Sequence, residues 1–311
     1  MTLVAALDCG TNSLRLFVAD LDPATGATVE LVRRSEIVRL GQGVDRTGVL
    51  APEALERTRE ALTGYAAAVR AHGVEPRHTR LVATSATRDA SNRSDFEAMV
   101  RGALGVAPEV VTGAEEAALA FEGATRGLRG GDLPGPYLVV DIGGGSTELV
   151  LGDSAVQAAR SVDVGAVRLT ERHLHGDPPT PAEIAAATAD TEAALDLVHE
   201  AVPWEQARTV VVVAGTATTV AALALDLPGY DPARIHLARI GSAQVAAVAQ
   251  RLLTTTRARI AEIPAVHPKR ADVIGAGALV LRTVLSRVGA DRCVASESDI
   301  LDGIAWSIAT R

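Results

Sequence analysis

Two short segments have the residue types to hold phosphate and a metal ion. One is Asp8-Cys9-Gly10-Thr11-Asn12-Ser13, the other Asp141-Ile142-Gly143-Gly144-Gly145-Ser146-Thr147. Each follows an apolar run, Leu3–Leu7 or Tyr137–Val140, and each leads into another, Leu14–Ala19 or Glu148–Leu151. Both read as strand, tight turn, strand. A glycine-rich turn leaves backbone N–H groups unobstructed and able to converge on one anion. Gly10, Thr11, Asn12 and Ser13 therefore form one candidate phosphate cradle. Gly143, Gly144, Gly145 and Ser146 form the second. An aspartate closing the preceding strand, Asp8 or Asp141, suits a hard divalent cation, held directly or through water. Asp-x-Gly is also an ordinary hairpin turn. Two matched copies, 133 residues apart, weigh against that plainer reading.

A third glycine loop, Val213–Thr219, lies at a strand-to-helix junction and adds Gly215 and Thr216 as candidates. A helix N-terminus there attracts an anion, although such turns are widespread in α/β proteins. Glu115 and Glu116 fall in the first turn of a helix that opens at Gly113, where acids favour the helix dipole whatever their function. Arg88 follows a short apolar strand and reads either as a surface charge or as a phosphate ligand. Arg15, on the strand leaving the first loop, could equally pair with a structural carboxylate. Cys9 alternates with Asp8 and reads as a small buried residue. His173, His175 and His267 read as surface or capping residues.

Elements that position these residues follow from the pattern. Val29–Leu40 reads as a third strand, and Pro52 opens a helix carrying Leu55, Leu62, Tyr65 and Val69 near one face. Arg80–Thr84 and Glu109–Thr112 read as short strands, and Ser94–Glu97 as a capping box. Gly127–Pro136 reads as a linker, after which the opening pattern returns. Thr180–Glu183 is another capping box, ahead of an Ala-rich helix. Thr209–Val213 is a strand, followed by a helix from about Thr218, helices near Ser242–Thr256 and Arg270–Arg287, and a last helix near Asp299–Ala309. Strands and then alternating helices and strands indicate α/β layering. The returning hairpin indicates two related domains, 1–125 and 126–298, with the helix at about 299–311 packing back on the first.

Composition narrows the function. The chain has 311 residues, 48% hydrophobic and 22% charged, which fits a globular protein of two domains. Its net charge of −8 argues against nucleic acid as a partner. Lysine occurs once, at Lys269, so a cation meeting an anionic ligand here is a guanidinium. Cys9 and Cys293 make neither a disulfide framework nor a metal motif. The most apolar run, Val210–Leu225, is broken by Gly215, Thr216, Thr218 and Thr219 and is shorter than the roughly 20 residues a bilayer requires. With no signal-peptide pattern, a cytoplasmic protein with no membrane partner is expected.

Taken together, Asp8–Leu16, Ala83–Asn92, Thr112–Ala117, Asp141–Glu148, Gly165–Glu171 and Ala214–Thr219 resemble the exopolyphosphatase / guanosine pentaphosphate phosphohydrolase family. The resemblance spans the chain in its short, two-domain form. It implies two RNase H-like (actin-like ATPase) domains of the actin / sugar kinase / heat-shock ATPase fold, with a substrate cleft between them that closes to exclude water. It also implies Mg²⁺-dependent hydrolysis of the terminal phosphate of inorganic polyphosphate, with guanosine pentaphosphate as the alternative substrate. Glu116 is then the base that activates water, Arg88 a phosphate ligand, and Glu148 part of the metal or water site. Asp141, with Asp8 and Glu148, is expected to hold Mg²⁺. Monomer and homodimer both stay open. Ser298–Gly303 departs from the family's Arg-Glu-Gly turn, so a basic contact there is expected to be missing. A small-molecule kinase and a non-catalytic actin-like nucleotide-binding protein share the loops; the length and the Arg88 and Glu116 motifs weigh against the first, and Thr112–Ala117 against the second.

Overall fold

The computed structural model describes residues 1–310. The chain forms two units, Met1–Gly123 with the segment from Ile300, and Ala124–Asp299. The first holds strands β1 (Thr2–Cys9), β2 (Ser13–Leu21), β3 (Thr28–Ile37), β4 (Thr79–Ala83) and β5 (Glu109–Val110), in the order β3-β2-β1-β4-β5. β1 to β3 form an antiparallel meander, and β4 and β5 run parallel to β1.

The second unit repeats the plan. β6 (Tyr137–Ile142), β7 (Thr147–Gly152) and β8 (Val156–Val162) are the meander, and β9 (Thr209–Val213) and β11 (Arg292–Ala295) the parallel strands. β10 (Arg239–Gly241) is added antiparallel at the edge, giving β10-β11-β9-β6-β7-β8. Both sheets have the RNase H-like strand order expected from the resemblance. β8, β10 and β11 escape the sequence reading. β8 is largely exposed or half-buried, and β10 has three residues, so neither carries a clean period-2 pattern.

Alternation along β1 decides which side chains face which core. Ala5, Leu7 and Cys9 join Leu62, Tyr65 and Phe96 beneath helices Pro52–Ala71 and Arg93–Leu104. Val4 and Ala6 join Phe17, Ala120, Ile304 and Trp306 beneath helices Gly113–Thr125 and Ile300–Ala309. Asp8 continues the second row, so it lies on the sheet face covered by the helix that carries Glu116.

Several local expectations are corrected. The helix expected to open with a Ser94–Glu97 box starts at Arg93 without a side-chain cap. The preceding Asn92 amide is engaged elsewhere, accepting from Leu50 N at 2.8 Å and donating to Leu50 O at 3.1 Å. The helix expected from Thr218 starts at Ala214. Gly127–Pro136 packs within the second unit, where Tyr137 Oη donates to Leu133 O at 2.9 Å. In the atypical Ser298–Gly303 segment, Asp302 receives a two-pronged contact from Arg33, at 2.9 and 3.3 Å. That guanidinium also covers the Phe17 ring, 4.1 Å from its centroid. The segment itself supplies no basic side chain, and the guanidinium that meets it comes from β3. No described helix is long and apolar enough to cross a membrane.

Candidate active site

The two hairpin loops are built alike. Gly10 N donates to Ser13 O, and Gly143 N to Ser146 O, each at 3.0 Å. Behind the first loop, Val38 N and Arg39 N donate to Asn12 O at 3.1 and 2.9 Å, and Gly41 N to Thr11 O at 2.8 Å. Behind the second, Ala166 N donates to Gly143 O at 3.0 Å, and Val167 N and Arg168 N to Gly144 O at 2.8 and 3.1 Å. A trans peptide points its C=O and N–H in opposite directions. The N–H groups of Asn12 and Ser13, and of Gly144 and Gly145, therefore point away from these anchors, as an anion cradle requires. The anchoring segments lie so close that a Cβ on Gly165 would stand 2.5 Å from Gly144 O, and one on Gly41 would collide with the Thr11 side chain.

In the first unit, Asp8 is buried, with Arg15 Nη1 3.6 Å from its Oδ2. Thr11 Oγ1 shares a 2.9 Å hydrogen bond with Ser85 Oγ, which ties the loop to the short helix Ser85–Asp89. Arg88 sits on that helix. Its Nη1 donates to Val111 O at 3.1 Å and to Glu116 Oε2 at 3.2 Å. Glu115 and Glu116 have different tasks. Thr112 N donates to Glu115 Oε2 at 2.8 Å and Glu115 N to Thr112 Oγ1 at 3.2 Å, a reciprocal cap. Those bonds from the Thr112 backbone and hydroxyl hold the Glu115 carboxyl below its ordinary range. Glu116 is only 7% exposed and faces the guanidinium. Asn12 Oδ1 and Thr87 Oγ1 are buried with no hydrogen-bond partner among the described residues. Leaving such groups unmet costs about 1–3 kcal/mol each, so a water or ligand belongs beside them. Cys9 is buried, and burial raises its thiol pKa, which suits a packing residue rather than a nucleophile.

In the second unit, Asp141 and Glu148 stand directly opposite one another on β6 and β7. Opposed residues share a sheet face. Their exposures are 7% and 1%. Ser161 Oγ donates to Glu148 Oε1 at 2.6 Å. Among the described residues no three His, Cys, Asp or Glu side chains gather to enclose a metal. Mg²⁺ is ordinarily held by one or two carboxylates, with water and substrate phosphate completing its shell, and the Asp141–Glu148 pair fits that demand.

Gly215 and Thr216 begin the helix Ala214–Ala224, just beyond β9, whose Val213 pairs with Asp141. The Arg270 guanidinium occupies the place a Gly215 side chain would take. Ala214 has φ 66°, a left-handed conformation costing a non-glycine residue about 1–2 kcal/mol. Arg168 Nε donates to Gly145 O at 2.7 Å. Sequence reasoning did not single out Gly41, Ser85, Ser161 or Arg270 as site residues. Arg270 reaches Gly215 through the fold, and no local pattern announces that meeting. Gly41 and Gly165 each follow the third strand of their meander and pack closely on that unit's loop.

The model of the Ppx/GppA phosphatase family matches residues 20–311. A curated relative, "Exopolyphosphatase 2" of Mycobacterium tuberculosis (strain ATCC 25618 / H37Rv), is 50% identical over 320 aligned residues, covering 99% of each chain. The crystal structure of an exopolyphosphatase-like protein is 44% identical, with a TM-score of 0.95 over 100% of this chain and 99% of that one. The Aquifex aeolicus member of the Ppx/GppA family is 28% identical, with a TM-score of 0.80 over 99% and 98% of the two chains.

Proposed function

Because the chain belongs to the Ppx/GppA phosphatase family, we propose that it is an exopolyphosphatase, removing the terminal phosphate of inorganic polyphosphate by attack of water. The oxygen of water forms a bond to the terminal phosphorus as the bond to the bridging oxygen breaks. Orthophosphate leaves, and the chain is one unit shorter. Glu116 orients the water and accepts its proton. The observation that carries this reading is the division between adjacent glutamates: Glu115 is committed to the helix cap, while buried Glu116 faces Arg88.

Arg88 both orients that carboxylate and offers its fork to phosphate oxygens, where bidentate charge-assisted bonds are strongest. The Gly10–Ser13 and Gly143–Ser146 amides cradle phosphate, and Gly215 and Thr216 supply a helix N-terminus to it. Asp141 and Glu148 hold Mg²⁺, with Asp8 as a further partner of the cation or its water. When bound, the ion neutralises phosphate oxygens and the charge that develops on them. A protein of net charge −8 repels a polyanion as a whole, so the local guanidinium groups of Arg88 and Arg270 must overcome that field. We place the protein in the cytoplasm, where two buried, unpaired cysteines stay reduced.

The test is a comparison of orthophosphate release from long polyphosphate, short polyphosphate and guanosine pentaphosphate, each with Mg²⁺ and no acceptor. Highest kcat/KM on polyphosphate supports the proposal. Highest kcat/KM on guanosine pentaphosphate assigns the same chemistry to the alternative substrate. Release only with ATP and an acceptor identifies a kinase.

A further inference from the structure

Three strands of the second meander place Asp141, Glu148 and Ser161 in one cross-strand row, since Asp141 opposes Glu148 and Glu148 opposes Ser161. The first meander has the same row in Asp8, Arg15 and Ser35. The middle residue differs. In the first row a guanidinium stands 3.6 Å from the aspartate, and the charges offset one another. In the second row the aspartate has a carboxylate as its neighbour, and that carboxylate is 1% exposed. A buried carboxylate is costly unless hydrogen-bonded. Ser161 Oγ meets Glu148 Oε1 at 2.6 Å, within the range of short charge-assisted O–H···O⁻ bonds.

We infer that Ser161 is a positioning residue for Glu148, its hydroxyl fixing the plane of the carboxylate that serves the Mg²⁺ site. The inference rests on the exopolyphosphatase reading and assigns it a residue that touches neither substrate nor phosphorus. A glutamate side chain has several rotatable bonds, and a donor on the neighbouring strand removes that freedom before any ligand arrives. Partners standing behind a metal ligand typically change metal affinity or activity by roughly 10–100-fold when removed.

The experiment measures Mn²⁺ binding by electron paramagnetic resonance on the full chain without substrate, and steady-state kinetics on polyphosphate with Mg²⁺. Ser161→Ala is expected to weaken Mn²⁺ binding roughly 10–100-fold and to lower kcat more than it raises KM. Ser161→Thr, which keeps the hydroxyl, is expected to restore most of both. Ser35→Ala, at the matching place in the first row, is expected to leave both unchanged. If the alanine variant does not fold, Ser161→Thr against Ser161→Val isolates the hydroxyl at nearly constant shape. Parental Mn²⁺ affinity in the alanine or valine variant overturns the role of Ser161 while leaving the exopolyphosphatase reading intact. A parent protein that neither binds Mn²⁺ nor releases phosphate overturns both.

Discussion

Glu115 and Glu116 are neighbours in the chain, and composition alone cannot separate them. The Thr112-x-x-Glu115 spacing does, because it closes a cap that engages the first carboxylate and leaves the second to Arg88. That spacing is written in the sequence. The Arg88–Glu116 contact is not, since it joins residues 28 apart. Glu116→Gln is expected to lower kcat by about 10²–10⁴-fold with little change in KM for polyphosphate. Glu115→Gln should lower thermal stability and leave kcat within the same order of magnitude. Steady-state kinetics on both variants decide between them. Arg88→Ala removes the anchor of Glu116 along with the phosphate fork, so kcat and affinity should both fall, by a few kcal/mol in kcat/KM at roughly 1.5–3 per charge-assisted bond. Arg88→Lys keeps the charge without the fork and should fall between parent and alanine. An alanine variant with parental kcat/KM at low salt makes Arg88 a bystander.

Elements matter because they hold the loops in place. The hairpins were readable in sequence, since an apolar run broken by Asp-x-Gly and resumed has few alternatives. The segments that pin the loops from behind were harder to assign, because Gly41 and Gly165 announce their role only through what a Cβ would strike. Gly165→Ala must displace the Gly143–Ser146 loop. A shift of about 1 Å at a reacting centre costs about 10²-fold, so kcat/KM should fall by that order with the far-ultraviolet circular dichroism unchanged. The second-unit helix Pro181–His199 shows the same economy of local signals. Its Thr180–Glu183 box was legible and is fully formed. Backbone N–H donors from Thr180 and Gly176 lower the Glu183 pKa from 4.5 to about 2. A depressed folded-state value means the stabilisation is complete above about pH 4.5 and is lost as pH falls toward 2. The stability difference between parent and Glu183→Gln should therefore shrink over that interval in denaturation curves taken at stepped pH. A difference that persists at pH 2 excludes the capping carboxylate as its source.

On the scale of the whole molecule, the first unit joins Met1–Gly123 with the distant helix Ile300–Ala309. Ile300, Leu301, Ile304, Trp306 and Ile308 are buried from the last helix into the core that also packs the Glu116 helix. At about 1.5–3 kcal/mol per side chain, their removal costs about 10 kcal/mol, comparable to the ~5–15 kcal/mol that holds a domain folded. A chain ending at Asp299 should therefore lose the cooperative unfolding of its first unit, measured by circular dichroism melting. Strand order was implied by resemblance and by the repeated hairpin. The edge additions and the Arg33–Asp302 contact depend on residues far apart in the chain, which no local pattern can report. The central claim is that phosphoryl groups pass from polyphosphate to water. Long-chain polyphosphate should be incubated with the protein and Mg²⁺ in oxygen-18 water, without any acceptor, and the released orthophosphate analysed by mass spectrometry. The account predicts steady release, with a labelled oxygen in each orthophosphate. Release that requires an acceptor, or orthophosphate without the label, would contradict it.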